Sequence, residues 1–327
     1  MASRGGKRLN AGRKEIEGPL KVKRAFTLDF DISEWINSST RNYSDFVGDI
    51  LRKSMISSLP VASMTKKQVI ISVLSNAGGA GKTTTIRNLA YEMSRTRLKV
   101  ALIDLDPQHN LDLFCGFALA NAIEGTIVDM LTEKSKAVWN LVPVKNENIE
   151  VCRGHLAMAE LQNELVPRRR SEHVLAQKLI ENPLPHDVIL LDCPATLGKI
   201  CENAVVASDY ILIPLILEDK ALTGLDGLIK WLQVLNKDLG LNPAPSILGI
   251  LPNAYNKSVG THRACLEQLV SMAQSMGLKI YPTIDYSAEI MNANANGLAI
   301  GTYRPAHKLT QQFRDLTTAI LEDTHYG

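Results

Sequence analysis

The stretch Ile70–Leu89, which reads IISVLSNAGGAGKTTTIRNL, decides the fold of this chain. It begins within an apolar run at Val69–Leu74, continues through small residues at Ser75–Gly81, and enters a helix-like segment at Lys82. A strand, a glycine-rich turn and a helix N-terminus in this order predict a loop that holds a nucleotide phosphate, because glycines let backbone N–H groups approach phosphate oxygens. A glycine-rich turn without a ligand is the alternative, and the agreement of all three parts disfavours it.

The same loop carries side chains suited to a nucleotide and its metal ion. Lys82 offers a positive charge to phosphate oxygens, and Thr83 offers a hydroxyl to Mg²⁺. Asn76 occupies the place of the first glycine of the common pattern, and Ala77 precedes the paired glycines. The residues expected to bind the nucleotide are Gly78, Gly79, Ala80, Gly81, Lys82, Thr83 and Thr84.

The size and composition of the chain suit one large domain and a small one, since it has 327 residues of which 45% are hydrophobic. Its net charge is only +2, so the overall charge indicates no partner. Five widely spaced cysteines without a CxxC pair predict buried, reduced thiols and neither a disulfide framework nor a zinc site. No apolar run reaches the ~18 residues of a membrane helix, so we expect a cytoplasmic protein without membrane contact.

Residues 67–327 are predicted to form the large domain. Apolar strands alternate there with amphipathic helices, which is typical of an α/β fold with a doubly wound, mostly parallel sheet. Ligands of such sheets gather at the carboxyl ends of the strands, so side chains at those ends are candidates for a site. The predicted strands are Val69–Leu74, Val100–Asp104, Ile149–Cys152, Val188–Asp192, Tyr210–Pro214 and Ile247–Pro252.

Carboxylates stand at the ends of two of these strands. Asp104 and Asp106 lie two residues apart after one of them, and Asp192 ends another. Beside a phosphate loop, one carboxylate of the first pair is expected to serve the Mg²⁺ shell and the other an attacking water, while Asp192 holds a metal-bound water. The alternatives are an ordinary polar strand end for the pair and a helix cap for Asp192.

The N-terminal residues differ in composition from the rest. Residues 1–25 hold eight basic and two acidic side chains, and residues 1–22 are predicted to form a flexible basic arm. Residues 23–56 show an alternating strand pattern followed by two short amphipathic helices, and residues 57–66 read as a linker. A strand and two helices of this size cannot bury their apolar face alone, so dimerisation is expected.

The strand-helix-helix order at Lys23–Met55 resembles the ribbon-helix-helix family of DNA-binding domains. The resemblance implies that Lys23 and its strand neighbours face base edges and that the backbone at Asn42–Ser44 holds a DNA phosphate. A small helical cap that only supports dimerisation is the alternative. The candidate DNA-binding residues are Lys21, Lys23, Ala25, Thr27, Asn42 and Ser44.

Three motifs of the large domain resemble those of the ParA/MinD family of deviant-Walker ATPases, and more closely its chromosome and plasmid partition branch. They are GGAGKTT at Gly78–Thr84, LIDLDPQHN at Leu102–Asn110, and DVILLDCPATLG continuing to ASDYILIPLILEDKALTGL at Asp187–Leu225. The resemblance implies a P-loop NTPase fold, ATP and Mg²⁺ as cofactors, slow ATP hydrolysis, and an ATP-dependent homodimer that binds DNA nonspecifically at the nucleoid. A ParB-like or other adaptor protein would stimulate hydrolysis and release.

The resemblance also implies roles by position. Lys82 would contact phosphates, Thr83 would bind Mg²⁺, Asp106 would position the attacking water, and Asp192 would serve the metal shell. Asn253 follows the last predicted strand and is the candidate for adenine contact.

Ala77 is the main departure from the family pattern. The family has a signature lysine at this position, which reaches the nucleotide of the partner subunit, so the contact must be absent or supplied by another group. The related carboxysome-positioning branch also lacks this lysine. The run Arg168–Arg170 is one candidate for the missing charge, with a solvated surface run as the alternative.

The C-terminal third adds two further expectations. Leu309, Phe313, Leu316 and Ile320 recur at helical spacing and predict a helix that packs on the sheet. A nonspecific DNA surface would use the basic residues Lys257, Arg263, Arg304 and Lys308.

Two other functions are compatible with these motifs. One is a DNA-binding transcriptional repressor with an ATP-responsive dimerisation domain, and the other is a positioning ATPase for an intracellular protein cargo. Binding to random DNA only with ATP would favour the partition function, whereas tight, sequence-specific binding without nucleotide would favour the repressor.

Overall fold

A computed structural model describes residues 68–132, 138–218 and 220–324 of the chain. The predicted basic arm, ribbon-helix-helix segment and linker lie outside these residues, and so do the six candidate DNA-binding residues.

Seven strands form one sheet in the described part of the chain. Across the sheet the order is β3-β4-β2-β5-β1-β6-β7, and only the pair of β3 and β4 is antiparallel. The predicted doubly wound, mostly parallel sheet is confirmed. The strands are β1 (Val69–Val73), β2 (Val100–Asp104), β3 (Leu141–Pro143), β4 (Ile149–Cys152), β5 (Val188–Asp192), β6 (Tyr210–Ile216) and β7 (Ser246–Asn253).

The six predicted strands are all present, and their ends differ from the prediction by two residues at most. The edge strand β3 was not predicted, because its three residues are too few to show a recognisable alternation.

Helices connect the strands and cover the sheet, and a 3₁₀ turn at Ser171–His173 precedes α5. They are α1 (Lys82–Arg95), α2 (Asn110–Phe114), α3 (Ile127–Thr132), α4 (Met158–Leu165), α5 (Val174–Glu181), α6 (Lys199–Ala207), α7 (Ala221–Leu239), α8 (Gly260–Met276), α9 (Ala288–Ala295), α10 (Ile300–Tyr303) and α11 (Lys308–Asp323).

The core consists of two hydrophobic clusters, one on each face of the sheet. In β2, Val100 and Leu102 belong to one cluster, whereas Ala101 and Ile103 belong to the other, because successive side chains of a strand face opposite sides. Helices α1 and α11 cover the first face, and α4 to α8 cover the second. A sheet buried on both faces explains why the strands read as nearly continuous apolar runs.

The C-terminal helix α11 packs on the sheet as predicted. All four residues of its apolar stripe, Leu309, Phe313, Leu316 and Ile320, are buried in the first cluster. The five cysteines are buried as well. Within the described residues, no helix is both long enough and apolar enough to span a lipid bilayer.

Candidate nucleotide-binding site

The glycine-rich loop joins β1 to α1 and opens outward. Gly79 has a φ of 74° and Gly81, the N-cap of α1, a φ of 81°, values that favour glycine over residues with a side chain. A Cβ atom added at Gly78 or Gly79 would meet no heavy atom within 4 Å. The backbone above the helix N-terminus is therefore accessible to a phosphate group.

Lys82 and Thr83 are the first two residues of α1. The Lys82 side chain is only 6% exposed, and its Nζ donates to the carbonyl oxygen of Ala77 at 3.3 Å. The ammonium group thus folds back over the loop that precedes it, where a phosphate would lie.

Strand pairing brings two acidic strand ends next to the loop. β5 lies between β2 and β1, and Asp192 is in register with Asp104 on one side and with Val73 on the other. The backbone N–H of Leu105 donates to the Asp192 carbonyl at 2.9 Å, so the chain leaving β2 stays close to β5. Asp104 and Asp192, each predicted at the end of a strand, therefore lie side by side, with Asp192 next to β1.

Asp192 is fully buried, and neither of its carboxylate oxygens has a hydrogen-bond partner among the described residues. The pKa of Asp192 is raised to about 7. Burial is the main cause and the charge of Asp106 adds to it, whereas the nearby Thr83 hydroxyl and the Lys82 ammonium act in the opposite direction. A buried carboxylate without a partner is unfavourable in the free protein, and a bound cation would relieve that cost.

The Asp104 carboxylate lies deeper than that of Asp106. Burial, and next to it the charge of Asp192, raises the pKa of Asp104 well above its usual range. Its Oδ1 accepts from the Asp106 N–H at 3.0 Å, whereas its Oδ2 is buried without a partner in the described ranges. Asp106 is half-buried and accepts at Oδ1 from the Gln108 N–H at 2.9 Å, which leaves its second oxygen available to a water.

These groups fit a nucleotide with Mg²⁺. The donors near the loop are carboxylate and hydroxyl oxygens, which are the ligands that Mg²⁺ prefers. No set of three or more His, Cys, Asp or Glu side chains in the described residues is arranged to hold a metal ion. A Mg²⁺ ion here would therefore share its coordination with phosphate oxygens and water, as is usual for this ion.

Asn253, the predicted adenine contact, lies against the phosphate loop. Its Nδ2 donates to the Ala80 carbonyl at 3.0 Å, and its Oδ1 accepts from the Ala254 N–H at 2.9 Å. A Cβ atom at Gly81 would overlap with Nδ2 of Asn253. The side chain therefore supports the loop, and the glycine at 81 is needed for the close approach.

Two asparagines that the motifs did not indicate also contact the start of α1. Asn88 donates from Nδ2 to the Thr84 carbonyl at 2.8 Å, and Asn294 donates from Nδ2 to Thr84 Oγ1 at 3.2 Å. A buried asparagine within a helix is disfavoured unless it is paired, so the position of Asn88 in the predicted helix was a weak indication of a structural hydrogen bond. For Asn294 there was no such indication.

A cavity of about 780 Å³ adjoins the loop on the side of Ala77. Its walls include Ala77, Gly78 and Gly79, together with the N-terminal end of α7, where Lys220 is the N-cap residue. Lys220 is exposed, and among the described residues that line this cavity it is the one basic residue and Glu218 the one acidic residue.

The other basic residues named from the sequence lie elsewhere on the surface. Arg168 to Arg170 are exposed after α4, Arg168 pairs with Glu164 at 3.2 Å, and none of the three lines the cavity beside Ala77. Among the four basic residues of the C-terminal third, Arg304 pairs with Glu289 at 3.2 Å and Lys308 with Asp285 at 2.7 Å.

A family model described as an AAA domain matches residues 68–245, which contain the loop and both acidic strand ends. The chain belongs to the ParA/MinD family of P-loop ATPases. It is accordingly an ATP-hydrolysing enzyme. The exposed residue Ala77 occupies the position at which the family resemblance predicts a lysine.

Relatives of known name support this membership. The chain is 29% identical to the sporulation initiation inhibitor protein Soj of Bacillus subtilis, over 77% of this chain and 97% of that protein. It is 32% identical to the chromosome partitioning protein ParA of Myxococcus xanthus, over 61% of this chain and 70% of that protein. The solved complex of a Cyanothece McdA variant with ATP has the same fold, with a TM-score of 0.69, 23% identity, and coverage of 77% of this chain and 96% of that one.

Proposed function

We propose that this ATPase acts in plasmid or chromosome partition as a nucleotide-switched dimer. ATP with Mg²⁺ binds at the glycine-rich loop, the bound form dimerises and binds DNA without sequence preference, and hydrolysis stimulated by an adaptor protein releases it. The observation that carries the proposal is the open loop of Gly78 and Gly79 beside Lys82 and the buried Asp192 carboxylate, which has no hydrogen-bond partner in the described part of the chain. The relatives named Soj and ParA indicate the process.

Each group near the loop has a proposed role. Lys82 neutralises phosphate charge, Thr83 and Asp192 hold Mg²⁺ directly or through water, and Asp104 supports that shell from behind. Asp106 orients the attacking water through its free oxygen. The bound metal ion supplies the charge that stabilises the leaving phosphate oxygens.

We infer that Lys220 supplies the positive charge that Ala77 cannot. Both residues line the same cavity, and the N-terminal end of α7, which carries a partial positive charge, opens into it. Lys220 lines the cavity that also borders Gly78 and Gly79, whereas Arg168 to Arg170 do not line it.

The DNA-binding part of the proposal rests on charge. Lys257 and Arg263 are exposed near the N-terminal part of α8, and contacts to DNA phosphates require charge more than exact geometry. The basic arm and the ribbon-helix-helix segment remain predictions and would add a second DNA contact. A cytoplasmic location at the nucleoid follows from this proposal.

The test is binding of the full chain to random-sequence duplex DNA with ATP and Mg²⁺, with ADP and Mg²⁺, and without nucleotide. We expect dimerisation by analytical ultracentrifugation and DNA binding only with ATP, with affinity falling steeply as salt rises. Lys82→Ala is the matched control and should abolish both. Tight binding of one DNA sequence without nucleotide, unchanged in Lys82→Ala, would instead establish the repressor function.

A further inference from the structure

Two asparagines connect the first turn of α1 to the C-terminal part of the chain. Asn88 binds the Thr84 carbonyl through Nδ2 and accepts at Oδ1 from the backbone N–H of Ile300 at 2.8 Å. Asn294, near the end of α9, donates from Nδ2 to Thr84 Oγ1 at 3.2 Å. Both side chains therefore converge on one residue of the phosphate-loop helix.

The two asparagines differ in how fully they are paired. Asn88 is 1% exposed and uses both its Nδ2 and its Oδ1, as expected for a structural contact. Asn294 uses Nδ2 alone, since its Oδ1 is buried and has no partner among the described residues. In this arrangement the Asn294 amide directs its nitrogen at Thr84 Oγ1, and its oxygen is left without a partner among the described residues.

The direction of this hydrogen bond decides what the Thr84 hydroxyl can do. A hydroxyl has one hydrogen to donate and two lone pairs that accept. Because Asn294 donates to Thr84 Oγ1, the hydroxyl hydrogen is not used by Asn294 and remains available. Thr84 is partly exposed and follows directly after Lys82 and Thr83, so the available hydrogen belongs to the proposed phosphate site.

We propose that Asn294 is a positioning residue for the bound nucleotide: its amide N–H occupies a lone pair of Thr84 Oγ1 and thereby directs the hydroxyl hydrogen to a phosphate oxygen. The inference rests on the proposed nucleotide site. It assigns to α9, 210 residues away in the chain, an effect on nucleotide affinity.

The direct test is Asn294→Asp, measured by calorimetric titration of the full chain with ADP and Mg²⁺. The carboxylate has nearly the shape of the amide but only accepts hydrogen bonds, so it takes the Thr84 hydrogen and adds negative charge near the phosphates. We expect the dissociation constant to rise about tenfold or more. Asn292→Asp adds the same charge at an exposed position of the same helix and should change it less than twofold.

A double-mutant cycle separates positioning from a structural role. Asn294→Ala should weaken ADP binding about threefold in the natural chain but cause no further loss in a Thr84→Val background, since the hydroxyl is then absent. This variant also answers the question if Asn294→Asp does not fold. The melting temperature without nucleotide reports any structural effect.

Two results would overturn the inference: unchanged ADP affinity in Asn294→Asp, or an equal loss from Asn294→Ala in both backgrounds. Failure of the natural chain to bind ADP at all would instead refute the proposed nucleotide site.

Discussion

Ala77 leaves the phosphate loop without the lysine that the family resemblance predicts there, and we propose that Lys220, which lines the adjoining cavity, supplies the missing charge. At this scale the function depends on single charges in confined surroundings. Lys82, Asp192 and Lys220 are each proposed to act near the bound phosphate groups, so their substitutions should have distinct and measurable effects.

The Lys220→Ala variant should lose ATP-dependent dimerisation and at least tenfold in ATP turnover, because a charge near the terminal phosphate is removed. The double variant Ala77→Lys/Lys220→Ala should recover both, since a lysine then enters the cavity from its opposite wall. Lys230→Ala is the control, because Lys230 lies on the same helix and pairs with Asp226 at 2.7 Å on the surface. No loss in Lys220→Ala would exclude the role of Lys220.

The Asp192→Asn variant should retain some ADP binding but lose the extra stabilisation that Mg²⁺ gives. A ligand that binds only the folded state raises its melting temperature, so the measurement is thermal unfolding with ADP in Mg²⁺ and in EDTA. Burial raises the pKa of Asp192 to about 7, and only the ionised form binds metal. In the natural chain the Mg²⁺ increment should therefore be larger at pH 8 than at pH 6. An equal increment in Asp192→Asn would show that Asp192 does not serve the metal.

At the scale of elements, the loop after α2 packs directly against the loop after α9. Gly116, after α2, and Gly297, after α9, pack backbone against backbone, and a Cβ atom at Gly297 would overlap with the backbone of Gly116. This contact places Asn294 next to α1, so the arrangement of the site depends on two glycines outside any motif.

Gly297→Ala and Gly240→Ala form a matched pair. Both glycines follow a helix with positive φ, 65° and 58°, but the position of a Cβ atom at Gly240 is open. Gly240→Ala should cost about 1 kcal/mol for the left-handed backbone, whereas Gly297→Ala should cost about 2–4 kcal/mol because the clash adds to it. Urea unfolding of both variants measures the difference. If both variants lost the same unfolding free energy, the loops at Gly116 and Gly297 could move apart without cost, and the predicted clash would be wrong.

At the scale of the whole molecule, a buried ion pair joins the phosphate-loop helix to the turn between β3 and β4. Arg87 has a fully buried side chain, and both of its terminal nitrogens bind the Glu147 carboxylate at 2.7 Å. Its Nε also donates to the Phe114 carbonyl at 2.9 Å. The nucleotide site is thus connected to the edge of the sheet by charge as well as by packing.

The Arg87→Met variant should lose about 3–5 kcal/mol of unfolding free energy, because it leaves a buried carboxylate without its partner. The double variant Arg87→Met/Glu147→Met should lose less than Arg87→Met alone, since neither charge is then left unpaired. Denaturant unfolding of the two single variants and the double variant measures the coupling. Additive losses would contradict a direct interaction.

Local order along the chain was sufficient for the phosphate loop, the doubly wound sheet and the acidic strand ends. Strand, loop and helix are adjacent in sequence there, and the carboxyl ends of parallel strands necessarily meet at one edge. For the same reason Lys82, Thr83, Asp104 and Asp192 are predicted as site residues from their positions in motifs.

The tertiary structure alone decided which distant residues lie near the phosphate loop. Asn294 meets Thr84 only because α9 packs beside α1, and Lys220 shares a cavity with Ala77 only because α7 begins beside the loop. No periodicity or motif spacing in the sequence predicts either contact, because packing of helices against the sheet brings these distant residues together. Packing, rather than spacing along the sequence, therefore places Asn294 and Lys220 near the phosphate loop.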